Sequence, residues 1–296
     1  MFAAFLTTIL FSLSVIFASR TVKLIGSTRA NLSRIVLATV FLAVWAHGFG
    51  AGLHGPALRW FFLSGCVGFG LGDLALFASL SRVGPRLAIL LTQCLAAPLA
   101  AVAEWIWLGT TLTLAEIWCA VVILGGVALA LAPDRGAEVG RREFWIGVVA
   151  GVGSALGQGL GAVISRKANG VAALASFPID GLSAAYQRII GGLLVTALAF
   201  LFLRKQTGDS PEPRWREAAP WTVANSLAGP ALGVGCFQWA LATTPSGLVL
   251  PIVATSPVVT ILLARFIDGT RPTRRALIGG VIAVAGAVAL KLAQGQ

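Results

Sequence analysis

Charged side chains are scarce in this 296-residue chain. Asp, Glu, Lys and Arg together make up 11% of it, whereas a soluble domain usually carries about 25%. So few charges cannot cover a water-soluble surface, and with 57% hydrophobic residues and a mean hydropathy of +0.88 the natural solvent is a bilayer. Cysteine is also rare: Cys66, Cys94, Cys119 and Cys236 stand alone in apolar segments. The lack of CxxC spacing and of clustered histidine argues against zinc, haem and a disulfide framework, and no cofactor is expected. These four residues read as small apolar filler. There is no Walker motif, and Gly68-Phe69-Gly70-Leu71-Gly72 follows no strand, so it is not a nucleotide loop. The chain opens directly on an apolar run without a basic leader, which reads as a first span and not as a signal peptide.

The net charge of +11 is strung out between apolar runs instead of gathered into a patch. It therefore reads as a topology signal and not as a nucleic-acid surface. The partners expected are the lipid bilayer and a small-molecule substrate, with the chain a monomer or homodimer.

A helix needs about 20 apolar residues to cross the hydrocarbon core. Ten runs qualify: roughly 2–19, 32–50, 60–81, 86–104, 115–132, 144–165, 183–203, 219–242, 246–264 and 275–293. The alternation of a β-barrel is absent, so an all-α bundle follows. The longest polar stretches, 133–143 and 204–218, are too short to hold an extramembrane domain.

The first of these stretches lies at the centre of the chain, and the two halves match across it. Ser19-Arg20 answers Ser165-Arg166, Arg34 answers Arg188, and Pro98 answers Pro257. Gly109-Thr110-Thr111-Leu112-Thr113 answers Gly269-Thr270-Arg271-Pro272-Thr273, and Gly126 answers Gly286. A duplicated five-helix unit explains this order, with repeats at 1–138 and 139–296. An odd number of spans per repeat forces opposite orientations. The odd-numbered loops hold 17 of the 22 Lys and Arg residues, and the bias inverts between equivalent loops, as inverted repeats require. On charge alone the odd loops are cytoplasmic and both termini lie outside.

The segment SLSRVGPRLAILLTQCLAAPLAAVAEWIWLGTTLTLAEIWCAVVILGGVALAL resembles the end of an EamA-type repeat of the drug/metabolite transporter superfamily. So does ALATTPSGLVLPIVATSPVVTILLARFIDGTRPTRRALIGGVIAVAGAVAL in the second half. The resemblance spans essentially the whole chain. It implies ten transmembrane helices in two inverted five-helix repeats around a central cavity, and a bacterial inner-membrane exporter of small metabolites, often amino acids. It also implies cytoplasmic termini, opposite to the charge count. Where the family usually has Gly-Glu after span four or nine, this chain has Thr110 and Thr270, so no role passes to that carboxylate.

Among the residues themselves, Ser154, Gln158, Gly161 and Ser165 fall at spacings of four, three and four, on one face of span six. Thr8, Ser12 and Ser19 occupy the corresponding face of span one. The two faces are expected to line a pathway, the alternative being hydrogen bonds between helices. Asp73 lies 13 residues after Trp60, about 20 Å along its helix. A carboxylate at that depth must face protein or water, which makes it either a proton carrier or a structural partner for a nearby Arg. Arg34 and Arg188 either attract a substrate carboxylate or snorkel to the interface. Gln93, Tyr186, Gln238 and Trp239 offer hydrogen bonds and aromatic walls, or serve as interfacial anchors. Glu104, beside Trp105 and Trp107, reads as solvated, and His47 and His54 as ordinary loop histidines. Pro98 and Pro257 each remove a backbone donor inside equivalent spans and are candidate hinges.

The function expected is alternating-access export of amino acids, driven by a substrate gradient or by a proton carried on Asp73. Carriers of drugs, choline-like compounds or nucleobases share the fold, and a passive channel or lipid scramblase is the rival of another class. An intramembrane enzyme would need paired acids, a Ser/His pair or metal ligands at membrane depth, which one isolated Asp does not supply.

Overall fold

The computed structural model describes residues 1–132, 140–203, 213–267 and 273–293. The proposed repeat boundary, most of the two long polar connections and the motif from Gly269 to Pro272 lie outside the described residues. Within them the chain is helical, and no strand occurs. The helices are α1 (Phe2–Ile25), α2 (Ser27–Gly48), α3 (Leu58–Gly65), α4 (Gly72–Leu108), α5 (Leu114–Leu131), α6 (Arg141–Leu174), α7 (Gly181–Leu203), α8 (Trp215–Ser226), α9 (Leu232–Thr243), α10 (Ser246–Val253), α11 (Ser256–Ile267) and α12 (Arg274–Ala293). Eight stretches are long and apolar enough to cross a membrane. The apolar runs 219–242 and 275–293, outside those eight, are helical too.

Two short π-helical turns interrupt the bundle, Cys66–Leu71 between α3 and α4 and Leu227–Ala231 between α8 and α9. A π turn fits one residue too many into a helical turn and shifts the faces on either side of it. Glycine and proline weaken the helix at both places: Gly68 and Gly70 in the first, Gly229 and Pro230 in the second.

The chain reverses sharply at single glycines. Gly26 (φ 81°, ψ 159°) separates α1 from α2, and Gly84 (φ 77°, ψ 165°) breaks α4 into arms 72–83 and 85–108. That region of backbone space is almost exclusive to glycine. The break in α4 thus comes at Gly84; Pro98, the expected hinge, lies inside the second arm with no non-helical backbone around it. Pro257 does lie at an interruption. It is the second residue of α11, directly after the turn at Ala254 and Thr255.

Helix α6 is clasped between the two arms of α4. Against the first arm, Ser79 Oγ donates to Gly147 O at 2.8 Å, and a Cβ placed on Gly157 would stand 2.6 Å from Gly72 Cα. Against the second arm, a Cβ on Gly159 would stand 2.9 Å from Ala96 O. Helices α5 and α12 form a second close seam. A Cβ on Gly126 would stand 2.6 Å from Ala283 N, and one on Gly286 2.9 Å from Ile123 Cγ1. In lipid there is no hydrophobic drive between helices, so small residues hold such seams by van der Waals contact. The outer faces of α5 and α12 expose Trp118, Val121, Ile278, Val281 and Val288, as a lipid-facing surface requires.

Candidate functional site

A cavity of about 710 Å³ occupies one half of the bundle's depth. At its mouth stand Ala132 at the end of α5, Thr273 and Ala276 at the start of α12, and Arg34 near the start of α2. Its inner wall is made by Phe69, Gln158, Arg188, Phe237 and Leu250, all well inside their helices. Both π turns contribute, through Gly68 and Phe69 in one and Gly229 and Pro230 in the other.

Charge of both signs meets in this cavity. Arg34 Nη2 lies 3.9 Å from Asp73 Oδ2, and Arg34 Nε donates to Asn31 Oδ1 at 3.0 Å. Arg188 is close enough to act on the Asp73 carboxylate by charge. It is 5% exposed, so it does not snorkel. Its guanidinium lies 4.9 Å from the centre of the Phe69 ring and 5.6 Å from that of Phe237, within cation–π range. Two cations and one carboxylate leave these three groups with a surplus positive charge.

Of the residues singled out from sequence, Asp73, Gln93, Gln158 and Pro257 line this cavity. Others do not. Thr8 Oγ1 donates to Ile252 O at 3.1 Å, and Ser12 Oγ donates to Ser256 O at 2.9 Å. The polar face of α1 therefore ties it to α10 and α11, the interhelical alternative for Ser and Thr. Ser154 is buried without a hydrogen-bond partner among the described residues and lies off the cavity. Tyr186 Oη meets His47 Nε2 at 3.3 Å, and His47 belongs to the last turn of α2 instead of a loop. Gln238 and Trp239 border a separate pocket of about 360 Å³ with Asn169 and Asp180. Trp239 is 51% exposed, and both amide atoms of Gln238 are buried without a partner among the described residues.

The end of the bundle away from the mouth is tied by polar contacts. Glu104 was expected to be solvated, yet it is 1% exposed. Arg166 Nε donates to its Oε1 at 3.0 Å, and Ser246 N donates to its Oε2 at 2.7 Å. Ser246 Oγ also donates to Oε2, and Arg166 Nη1 donates to Leu241 O at 2.9 Å. The carboxylate thus caps the N-terminus of α10, where the helix dipole favours negative charge. It joins the second arm of α4 to α6 and to the turn before α10. Nearby, Gln187 Nε2 donates to Gly52 O and His54 O at 3.0 and 2.9 Å, and Ala51 N donates to Ser183 Oγ at 3.1 Å. Trp45 Nε1 donates to Asp180 Oδ1 at 3.2 Å. Burial alone would raise the Asp180 carboxyl. Hydrogen bonds from the Ser183 hydroxyl and backbone, from Trp45 and from Leu182 N outweigh it and hold Asp180 below its ordinary value.

The comparisons with known proteins fit this architecture. The model of the EamA-like transporter family matches residues 1–132 and again 145–292. A crystal structure of a protein superposes with a TM-score of 0.78 at 19% identity, covering 99% of this chain and 96% of that chain. Identity at that level shows a shared fold alone. No curated protein matches the chain. With its two family matches covering nearly all of its length, the chain belongs to the EamA-like transporter family and is a multi-pass membrane protein of the drug/metabolite transporter type.

Proposed function

We propose that the chain exports small metabolites, chiefly amino acids, across the bacterial inner membrane by alternating access. The observation that carries this reading is the asymmetry of the bundle. A large cavity with charges of both signs reaches inward from one end, while the other end is tied by a buried carboxylate and its partners. A carrier needs such a state and its mirror image, and two inverted five-helix repeats supply the mirror. Several pairs of features support that symmetry: the two π turns, the Gly126–Gly286 seam, and Arg34 and Arg188 on one cavity. The helix-capping threonines form another pair, with Thr113 Oγ1 accepting from Glu116 N at 3.3 Å and Thr273 Oγ1 from Ala276 N at 3.2 Å. Asp73, within reach of two arginines, is the group that would carry a proton in exchange for substrate.

Counterflow in proteoliposomes tests the reading. Vesicles loaded with unlabelled amino acids should take up labelled Phe, Trp, Met, Thr or Leu in a saturable manner. A pH gradient should accelerate uptake, and Asp73→Asn should remove that acceleration. Non-saturable flux would mark a channel. Absence of exchange for every amino acid would sink the substrate class and redirect the search to cationic drugs, choline-like compounds or nucleobases.

A further inference from the structure

We propose that Arg188 is the carboxylate-binding residue of the cavity, so that the transported molecule carries a carboxylate joined to an apolar or aromatic body. This deepens the transport reading above and rests on it.

Three arginines in the bundle are satisfied in very different ways. Arg166 has a carboxylate and a backbone carbonyl within hydrogen-bond distance. Arg34 has Asn31 at 3.0 Å and Asp73 at 3.9 Å. Arg188 makes no hydrogen bond among the described residues, and its Nε is buried without a partner. A guanidinium offers five donors in a planar fork, and leaving even one of them buried and unpaired is costly. Asp73 acts on it by charge, but that carboxylate already faces Arg34.

The surroundings keep Arg188 open instead of pairing it. Its Nη2 is accommodated by missing side chains. A Cβ on Gly68 would stand 2.5 Å from that atom, and one on Gly161 3.3 Å from it. Gly68 belongs to the first π turn, so the irregular backbone and the open guanidinium are parts of one arrangement. The Phe69 and Phe237 rings flank the cation and offer apolar surface on the cavity wall beside it. A carboxylate matches the guanidinium fork with two parallel hydrogen bonds, and an apolar side chain of the same ligand would lie on the rings.

The test uses the full chain in proteoliposomes, with counterflow of labelled phenylalanine and two competitors. One is 3-phenylpropionate, which keeps the carboxylate and lacks the ammonium. The other is phenethylamine, which keeps the ammonium and lacks the carboxylate. The proposal expects phenylpropionate to compete and phenethylamine to fail at tenfold higher concentration. Arg188→Gln should raise the apparent KM for phenylalanine at least tenfold, and Arg188→Lys should recover part of it. Equal competition by the amine, or an unchanged KM in Arg188→Gln, would overturn the assignment while leaving transport intact. If phenylalanine is not exchanged at all, the amino-acid reading fails. The assignment is then decided by thermal stabilisation of the purified protein with phenylpropionate: loss of that stabilisation in Arg188→Gln supports it, and its absence in the native protein overturns it. If Arg188→Gln does not fold, competition on the native protein tests the carboxylate requirement and the KM of Arg188→Lys tests the residue: failure of phenylpropionate to compete, or an unchanged KM in Arg188→Lys, overturns the assignment.

Discussion

The two ends of this bundle use the same residue types for opposite purposes. At the end away from the cavity, Glu104 and Arg166 form a pair inside the protein, with both carboxylate oxygens occupied and the guanidinium also held by a backbone carbonyl. At the mouth end, Arg82 and Glu143 pair at 3.2 Å with side chains 35% and 54% exposed. Between them, in the cavity, Arg188 is buried with no hydrogen-bond partner for its Nε among the described residues. A paired and desolvated charge ties elements together, a solvated pair does little, and a desolvated donor without a partner is costly to keep.

That contrast can be broken at either end, with the largest effect at the closed one. Glu104→Ala leaves Arg166 without its counter-charge and should destabilise the purified protein by about 3–5 kcal/mol in denaturant or thermal unfolding. Arg82→Ala removes an exposed pair and should change the same measurement by about 1 kcal/mol or less. Comparable losses at both ends would mean that helix packing, not ion pairing, distinguishes them.

A gentler change sharpens the comparison. Glu104→Gln keeps the volume and weakens the charge-assisted bonds, so the closed end should open more often. Ala184, buried beside the smaller pocket, reports this opening. In a cysteine-free background, a cysteine at position 184 should react with a maleimide several-fold faster when Glu104→Gln is added. An unchanged rate would assign the closure to apolar contacts.

The smallest effect concerns Asp180, whose pKa is lowered in the folded state by Ser183, Trp45 and Leu182 despite the opposing effect of burial. A depressed carboxyl contributes stability that is fully present above its unfolded value, about 3.9, and is lost as pH falls through the lower folded value. The Asp180 contribution should therefore be constant at neutral pH and fade only in strong acid. Asp180→Asn should flatten that acid limb of the stability profile and leave its neutral part lower by a constant amount.

Much of the fold was legible in the sequence because hydropathy reports directly what lipid demands. Each of the ten apolar runs falls on helix within the described residues. The misreadings of Arg166 and Glu104 share one cause: hydropathy marks where charge begins, and not where a helix ends. Span six was expected to stop near residue 165, which put Arg166 in a connection. The helix runs to Leu174, because Glu104 supplies the charge that lets Arg166 remain in protein. Glu104 was misjudged for the same reason, since its partners lie 62 and 142 residues away. The polar face of span one was seen correctly as a face. Periodicity, however, cannot tell a neighbouring backbone carbonyl from water, and Thr8 and Ser12 found carbonyls. Arg188 was visible as the counterpart of Arg34, but its isolation is a property of what surrounds it. The π turns had a signal too, in the glycines of Gly68–Gly72 and in Gly229-Pro230.

The reversal at Gly84 has a mechanical consequence. Because one residue joins the two arms of α4, the connection has no slack, and a shift of the end of the 85–108 arm must carry the end of the 72–83 arm with it. The first arm carries Asp73 and continues from the π turn beside Arg188, while the second carries Glu104. The Glu104 tie and the cavity carboxylate thus sit on two arms whose adjoining ends cannot separate, whatever angle the glycine joint takes.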